Sequence, residues 1–287
     1  MTTTAKFRMV MDPEMGTYKR CMRIVIGERT YHVSVVGLGK PVICFHGFSE
    51  SGYTWDTIKL QGYSMYRIDL LGHGSTDKPM DREPYEIPSM LEELHTVVQL
   101  VAGSSYRLMG YSMGARLALL YTLAYKDEVE QLILESGSVG IALEEERHNR
   151  LVSDDELAQK IESHDVQWFG ETWSKVPIFH SQQTLAKQVQ EKIFARRIHN
   201  APQVLANTLR GSGQGSMPYV GQNLDEVKCP LLYISGALDT KYDSIRREIF
   251  HNRPNCTTVS VLGAGHNVHL EKPEQFEQVV EEFLNLI

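Results

Sequence analysis

Cysteine is scarce in this chain. Four stand in 287 residues, at positions 21, 44, 229 and 256, with no Cys-x-x-Cys pair among them. The usual zinc and thioredoxin-like patterns are therefore missing. Positive charge is also short: 29 Lys and Arg face 36 Asp and Glu, a net charge of -7. General nucleic-acid affinity needs surplus cations to displace counterions from phosphates, so a nucleic-acid partner is not expected. No apolar run approaches the roughly 20 residues of a membrane-spanning helix, and the N-terminus lacks the apolar core of a signal peptide. These absences lead to an expectation of a cytoplasmic protein with no membrane insertion, no metal and no cofactor. Cys44 and Cys229 adjoin apolar runs and are expected as buried free thiols.

What is there is enough apolar sequence for one large core, with or without an insertion: 42% of residues are hydrophobic. Residues 1–21 show no clear periodicity and receive no function here; Met22 stands as an alternative start. Arg23–Ile26 and Thr30–Val36 alternate as a hairpin around Gly27-Glu28-Arg29. Pro41–Phe45 reads as a fully buried parallel strand. Further strands are expected at Tyr63–Leu70, Tyr106–Met109, Val129–Glu135, Leu231–Ser235 and Thr257–Leu262, with helices at Ile87–Ala102, Arg116–Tyr125 and Glu274–Leu286. Strands alternating with helices predict an α/β fold with a mostly parallel, doubly wound sheet. Residues 141–224 differ. Four helices are expected there, at Glu144–Ile161, Asp165–Trp173, Ser181–Ile198 and Pro202–Leu209, with no strand between them. The division predicted is a leader (1–21), a core (22–140 and 225–287) and an inserted helical cap (141–224).

The chemistry concentrates around Gly110-Tyr111-Ser112-Met113-Gly114. This G-x-S-x-G lies between an apolar strand and an Ala/Leu-rich helix, the context of a nucleophile elbow. A serine hydroxyl is a weak nucleophile or base alone. It needs an imidazole to take its proton and a carboxylate to orient that imidazole. With such an elbow the chain order is Ser, acid, His. Asp239 and His266 follow in that order, each just after an expected strand; Asp243 and His269 are the fallback choices. Two backbone N–H groups should form an oxyanion hole, that of Met113 and that of Phe48 in the loop after Pro41–Phe45. His46 in the same loop reads as structural. Arg116 lies one helical turn after Ser112 on the same face. A cation so close to the nucleophile is costly to desolvate unless an anion pairs with it.

His-Gly-Phe, Asp-x-x-Gly-His-Gly, Gly-x-Ser-x-Gly, Gly-x-x-Asp and Gly-His at these intervals resemble the α/β-hydrolase superfamily over roughly residues 23–287. Gly110–Arg116, Leu134–Ser138, Glu145–Arg147, Pro177–Phe179 and Leu209–Gly215 narrow the resemblance to the 2-succinyl-6-hydroxy-2,4-cyclohexadiene-1-carboxylate synthase family of menaquinone biosynthesis. Ala115 and Leu71 depart from that family's usual Gly and Pro. The resemblance implies a lyase that eliminates pyruvate from a succinyl-bearing cyclohexene tricarboxylate, without a metal. Ser112 would act as the base. It also implies that Arg150 and Arg197 bind substrate carboxylates and that Trp173 lines the pocket, with Tyr111 beside the nucleophile. Taken alone, a cap arginine is more often a surface residue, and Arg150 has Asp154 four residues on. Two other readings stay open: a serine esterase or C–C bond hydrolase with the same triad, and a non-catalytic ligand receptor on the same fold.

Overall fold

Pro41–Phe45 contains no charged residue, and the strand it forms has protein on both faces. Val42 and Cys44 point into one apolar layer, Ile43 and Phe45 into the other. The structure, a computed structural model, describes residues 3–12 and 17–286. Its strands are β1 (Thr3–Asp12), β2 (Thr17–Ile26), β3 (Arg29–Gly37), β4 (Lys40–Phe45), β5 (Tyr63–Ile68), β6 (Tyr106–Tyr111), β7 (Val129–Glu135), β8 (Leu231–Gly236) and β9 (Cys256–Val261). Among the described residues they make one sheet in the order β1-β2-β3-β5-β4-β6-β7-β8-β9. Pairing is antiparallel from β1 through β3 to β5, and parallel from β5 onward.

From β4 the chain moves one way to β5, then crosses back to β6 on the other side. The gap above β4 and β6 is the switch point at which an open α/β sheet presents loops to a ligand. One face of the sheet is covered by α1 (Ile87–Ala102) and α2 (Met113–Ala124). There Leu94, Val98, Leu117 and Tyr121 pack against Ile43, Phe45, Leu108 and Leu132. On the other face Phe276, Val280 and Phe283 meet Val42, Met109, Ile133 and Leu232.

Between β7 and β8 run α3 (Glu144–Glu162), α4 (Val166–Trp173), α5 (Lys187–Ile198) and α6 (Pro202–Ser212). They hold an apolar cluster of their own, Ala158, Ile161, Phe169, Leu205, Ala206 and Leu209, and Phe48 and Trp173 pack against it. Asp165 caps α4, its carboxylate accepting from the Trp168 N–H at 2.8 Å, a contact worth about 1 kcal/mol. After β8 come α7 (Thr240–Ile245), continued by a wider turn over Arg246–Phe250, then α8 (Val268–Glu271) and α9 (Pro273–Leu284).

Two expectations need correction, and one helix lies beyond them. The boundary at residues 21/22 falls inside β2: Thr3–Asp12 and Thr17–Ile26 pair as a hairpin, with Thr3 opposite Ile26. Lys6-Phe7-Arg8-Met9 does alternate, but a single strand's alternation carries weight only with a partner in register. The helix expected over Ser181–Ile198 is split. A 3₁₀ segment covers Pro177–Thr184, Leu185 and Ala186 are extended, and α5 starts at Lys187. The Gln190 side chain bonds the Gln183 and Leu185 carbonyls across that break. The helix beyond them is α7, six residues long and too short for a periodicity to register.

Candidate active site

Ser112 sits between β6 and α2 with φ 53° and ψ −109°, a conformation side chains rarely adopt. Its N–H donates to the Glu135 carbonyl at 2.8 Å, and its carbonyl accepts from the Arg116 N–H at 3.1 Å. The strain is thus held from both sides by backbone bonds. Gly110 and Gly114 have no room for a Cβ: one would meet the Gly114 carbonyl, the other the Phe45 and His46 carbonyls. These close approaches fix glycine at the two outer positions of the elbow.

The Ser112 hydroxyl lies 2.9 Å from His266 Nε2. His266 Nδ1 lies 2.6 Å from Asp239 Oδ2. Asp239 Oδ1 accepts from the Tyr242 N–H at 3.2 Å, so the start of α7 fixes the carboxylate. The order Ser112, His266, Asp239 forms one hydrogen-bonded line. The fallback residues face elsewhere. Asp243 accepts from Ser235 Oγ at 3.0 Å and pairs with Arg246 and Arg247. His269 is fully buried, bonded to Glu135 at 2.6 Å and to Thr54 at 2.8 Å.

Phe48 and Met113 line the same cavity as Ser112, and their backbones follow β4 and β6. Met113 is the first residue of α2 and has no acceptor within the helix. His46 is fully buried and makes two backbone contacts: its Nε2 accepts from the Leu70 N–H at 2.9 Å, and its Nδ1 lies 2.8 Å from the Gly47 carbonyl. Burial holds it below the ordinary histidine range, so it is neutral.

The cavity has a volume of about 190 Å³. One wall is aromatic. The Trp173 ring is 5.4 Å from Phe48 and 5.7 Å from Phe169, and Trp173 Nε1 is a buried donor with no partner. Tyr111 is buried, its ring 5.4 Å from His266. The same lining carries cations. Arg116 donates to the Ser212 carbonyl at a long 3.4 Å and makes no ion pair among the described residues. Burial, and Arg150 nearby, push its guanidinium below its ordinary range. Arg150 bonds Asp154 at 2.7 Å and Gln214 Oε1 at 2.8 Å.

Arg197 stands apart from these cations. It lines the adjacent cavity, with Phe179 between the two. Its guanidinium lies 4.5 Å over the Phe179 ring and bonds Ser174 and Gln182, while its Nε has no partner. Among the residues the sequence did not point to, the polar ones facing the nucleophile's cavity are Glu50, which is paired with Arg196 at 2.6 Å, Thr208, Gln214, Lys241 and Tyr242. Gln214 lies in the Leu209–Gly215 motif, so a signal existed. Lys241 had none, because α7 was not recognised.

A family model described as alpha/beta hydrolase fold matches residues 40–273. A Bacillus subtilis (strain 168) protein, provisionally named a 2-succinyl-6-hydroxy-2,4-cyclohexadiene-1-carboxylate synthase, is 35% identical over 248 residues, 86% of this chain and 90% of that one. A synthase of the same name from Pectobacterium atrosepticum is 26% identical over 88% of this chain and 97% of its own. The structure of MenH from S. aureus superimposes with a TM-score of 0.82 at 29% identity, covering 91% of this chain and 99% of that one. A thermophilic esterase from Thermogutta terrifontis matches at a TM-score of 0.77 and 21% identity over 100% and 99% of the two chains, a likeness of fold alone.

Proposed function

The chain belongs to the α/β-hydrolase fold family, which also holds the 2-succinyl-6-hydroxy-2,4-cyclohexadiene-1-carboxylate synthases, and on that premise we propose that it is such a synthase in menaquinone biosynthesis. In this reading it eliminates pyruvate from a succinyl-bearing cyclohexene tricarboxylate. The observation that carries it is the pairing, in one cavity, of a Ser-His-Asp line with two arginines: Arg116, which makes no ion pair among the described residues, and Arg150, shared between Asp154 and the neutral Gln214 oxygen. A simple ester pocket has no need of such cations.

Asp239 holds His266 in the tautomer whose Nε2 accepts the Ser112 proton. The serine oxygen then takes the ring proton next to the succinyl ketone. The released electron pair passes through the ring, forming the second ring double bond, and the C–O bond to the enolpyruvyl group breaks. It leaves as the enolate of pyruvate, which takes up the proton held on His266 and becomes the keto form, so that His266 and Ser112 both return to their starting states. Negative charge on the ketone oxygen is met by the N–H groups of Phe48 and Met113, preorganised by β4 and by the α2 N-terminus. Arg116 and Arg150 hold substrate carboxylates, while Tyr111 and Trp173 line the ring's path. Arg197 joins the set if Phe179 moves aside. The helices of residues 141–224 act as a cap that excludes water. The same reading places the enzyme in the cytoplasm, supported by four free cysteines. It requires no cofactor.

The Thermogutta neighbour keeps one competing chemistry in view, acyl transfer through a serine ester. Rapid-quench mass spectrometry during turnover separates the two. Elimination leaves Ser112 unmodified throughout, with pyruvate as co-product. An acyl group on Ser112 would overturn the lyase reading.

A further inference from the structure

We propose that Lys241 is a substrate-anion ligand, completing with Arg150 and Arg116 a carboxylate subsite centred where the Gln214 side-chain oxygen now lies. This rests on the polycarboxylate reading above, and deepens it. Lys241 is on α7, two residues after Asp239. It stands in the wall between the cavity of Ser112 and an open groove lined by Pro177, His180 and Leu238. Its ammonium lies 3.4 Å from Gln214 Oε1 and 5.4 Å over the Tyr242 ring. Arg150 Nη1 reaches the same oxygen at 2.8 Å.

Two cations thus share one neutral acceptor. An amide oxygen neutralises no charge, and among the described residues Lys241 makes no ion pair. The charged and titratable groups around it are Arg150 and Asp154 from α3, Arg116 from α2, Asp239 and Tyr242 from its own segment, and His180 across the groove. Three of these seven groups, Lys241 included, are cations of the cavity wall. Asp154 is committed to Arg150 and to the Gly215 N–H at 3.1 Å, and Asp239 to His266. Burial, and the repulsion of Arg150 and Arg116, hold the Lys241 ammonium below its ordinary range. A polar cluster left positive and partly dry costs free energy, and that cost is released when an anion enters. A carboxylate displacing Gln214 Oε1 would accept from Lys241 and Arg150 together, with Arg116 on its other side.

The sign of the pH effect follows. An anion favours the charged ammonium, so affinity falls as pH rises through the lowered Lys241 pKa. An arginine at this position stays charged. The experiment is calorimetric titration of the dicarboxylate 2-succinyl-6-hydroxy-2,4-cyclohexadiene-1-carboxylate, from pH 7 to 10, into wild type, Lys241→Met, Lys241→Arg and Gln214→Glu. Circular dichroism checks each fold, and pyruvate release is measured separately. Lys241→Met should weaken binding at pH 7 by roughly 10-fold or more. Lys241→Arg should bind within a few-fold of wild type and lose the alkaline decline. Gln214→Glu, which fills the subsite with its own carboxylate, should weaken binding at least as much as Lys241→Met. Wild-type affinity in Lys241→Met, an unchanged alkaline decline in Lys241→Arg, or no dicarboxylate binding by wild type would each overturn the proposal. Lys241-dependent binding without pyruvate release would leave this proposal standing and sink the lyase reading instead.

Discussion

Replacing Arg116 with methionine should make the protein more stable and nearly inactive. The stability side follows from what the guanidinium lacks. Its one hydrogen bond is at the long limit, 3.4 Å to the Ser212 carbonyl, so it contributes at most about 0.5–1 kcal/mol. Against this stand burial and the repulsion of Arg150, which lower its pKa. Methionine fills much of the same volume and needs no counter-charge. A net gain of about 1 kcal/mol is expected, in the range of substitutions that relieve a functional residue's cost. For a chain of this size that raises Tm by roughly 2–4 °C. The functional side is larger. Losing one partner of a desolvated charge pair costs about 2–5 kcal/mol, or roughly 30-fold to several-thousand-fold in kcat/KM. Arg116→Lys should fall between, because charge is kept and the planar fork is lost. The assays are thermal unfolding and pyruvate release on the same preparations. A variant that melts several degrees lower yet keeps wild-type kcat/KM would refute the reasoning. Arg116 would then be a tether for the Ser212 carbonyl.

Two further outcomes follow from particular contacts. Asp239→Asn should lower kcat by about 10³- to 10⁴-fold, since the amide favours the wrong His266 tautomer. Asp243→Asn should leave kcat within a few-fold and lower Tm, because Asp243 pairs with Arg246 and Arg247 and does not touch His266; the reverse pattern in steady-state kinetics would reassign the acid. As pH falls from neutrality, His73 should contribute to the loss of stability. Burial pushes it down to about 3, while the unfolded value is about 6.5, so the unfolded state binds the extra proton as pH falls. From pH 6.5 to 5.5 this removes about 1 kcal/mol. His46, also lowered by burial, acts in the same direction. His32 is lowered by burial but raised by Asp69, 3.0 Å away, and by Cys21, which together hold it at about 9, so it offsets only about 0.4 kcal/mol. Urea unfolding of His73→Gln at the two pH values should show the slope reduced by about 1 kcal/mol; an unchanged slope would rule His73 out.

Strand-end placement made much of the site legible. Ser112 and Asp239 each follow an apolar, buried strand and His266 follows the half-exposed edge strand β9, and the chain order of an elbow selected among nearby Asp and His residues. Phe48 and Met113 came from the same logic, since their backbones follow β4 and β6. What escaped the sequence depends on facing and on short elements. The sequence cannot tell that Phe179 stands between Arg197 and the nucleophile's cavity. Lys241 reaches the cavity because a six-residue helix turns it inward beside Gln214, and no periodicity marks so short a helix. The strand Thr3–Asp12 was hidden for another reason: its meaning lies in a register with Thr17–Ile26, which one strand alone does not reveal.

The central claim is that one serine centre here removes a ring proton and expels pyruvate. Its most direct test is pyruvate release from the cyclohexene tricarboxylate by the purified protein, beside hydrolysis of 4-nitrophenyl acetate, for wild type and Ser112→Ala. The account expects kcat/KM for pyruvate release to exceed that for the ester by roughly 10³-fold or more, because only the polycarboxylate engages the cavity's cations. Ser112→Ala should lose pyruvate release by about 10³-fold or more. Efficient ester hydrolysis with no pyruvate formed, or pyruvate release that survives Ser112→Ala, would contradict it.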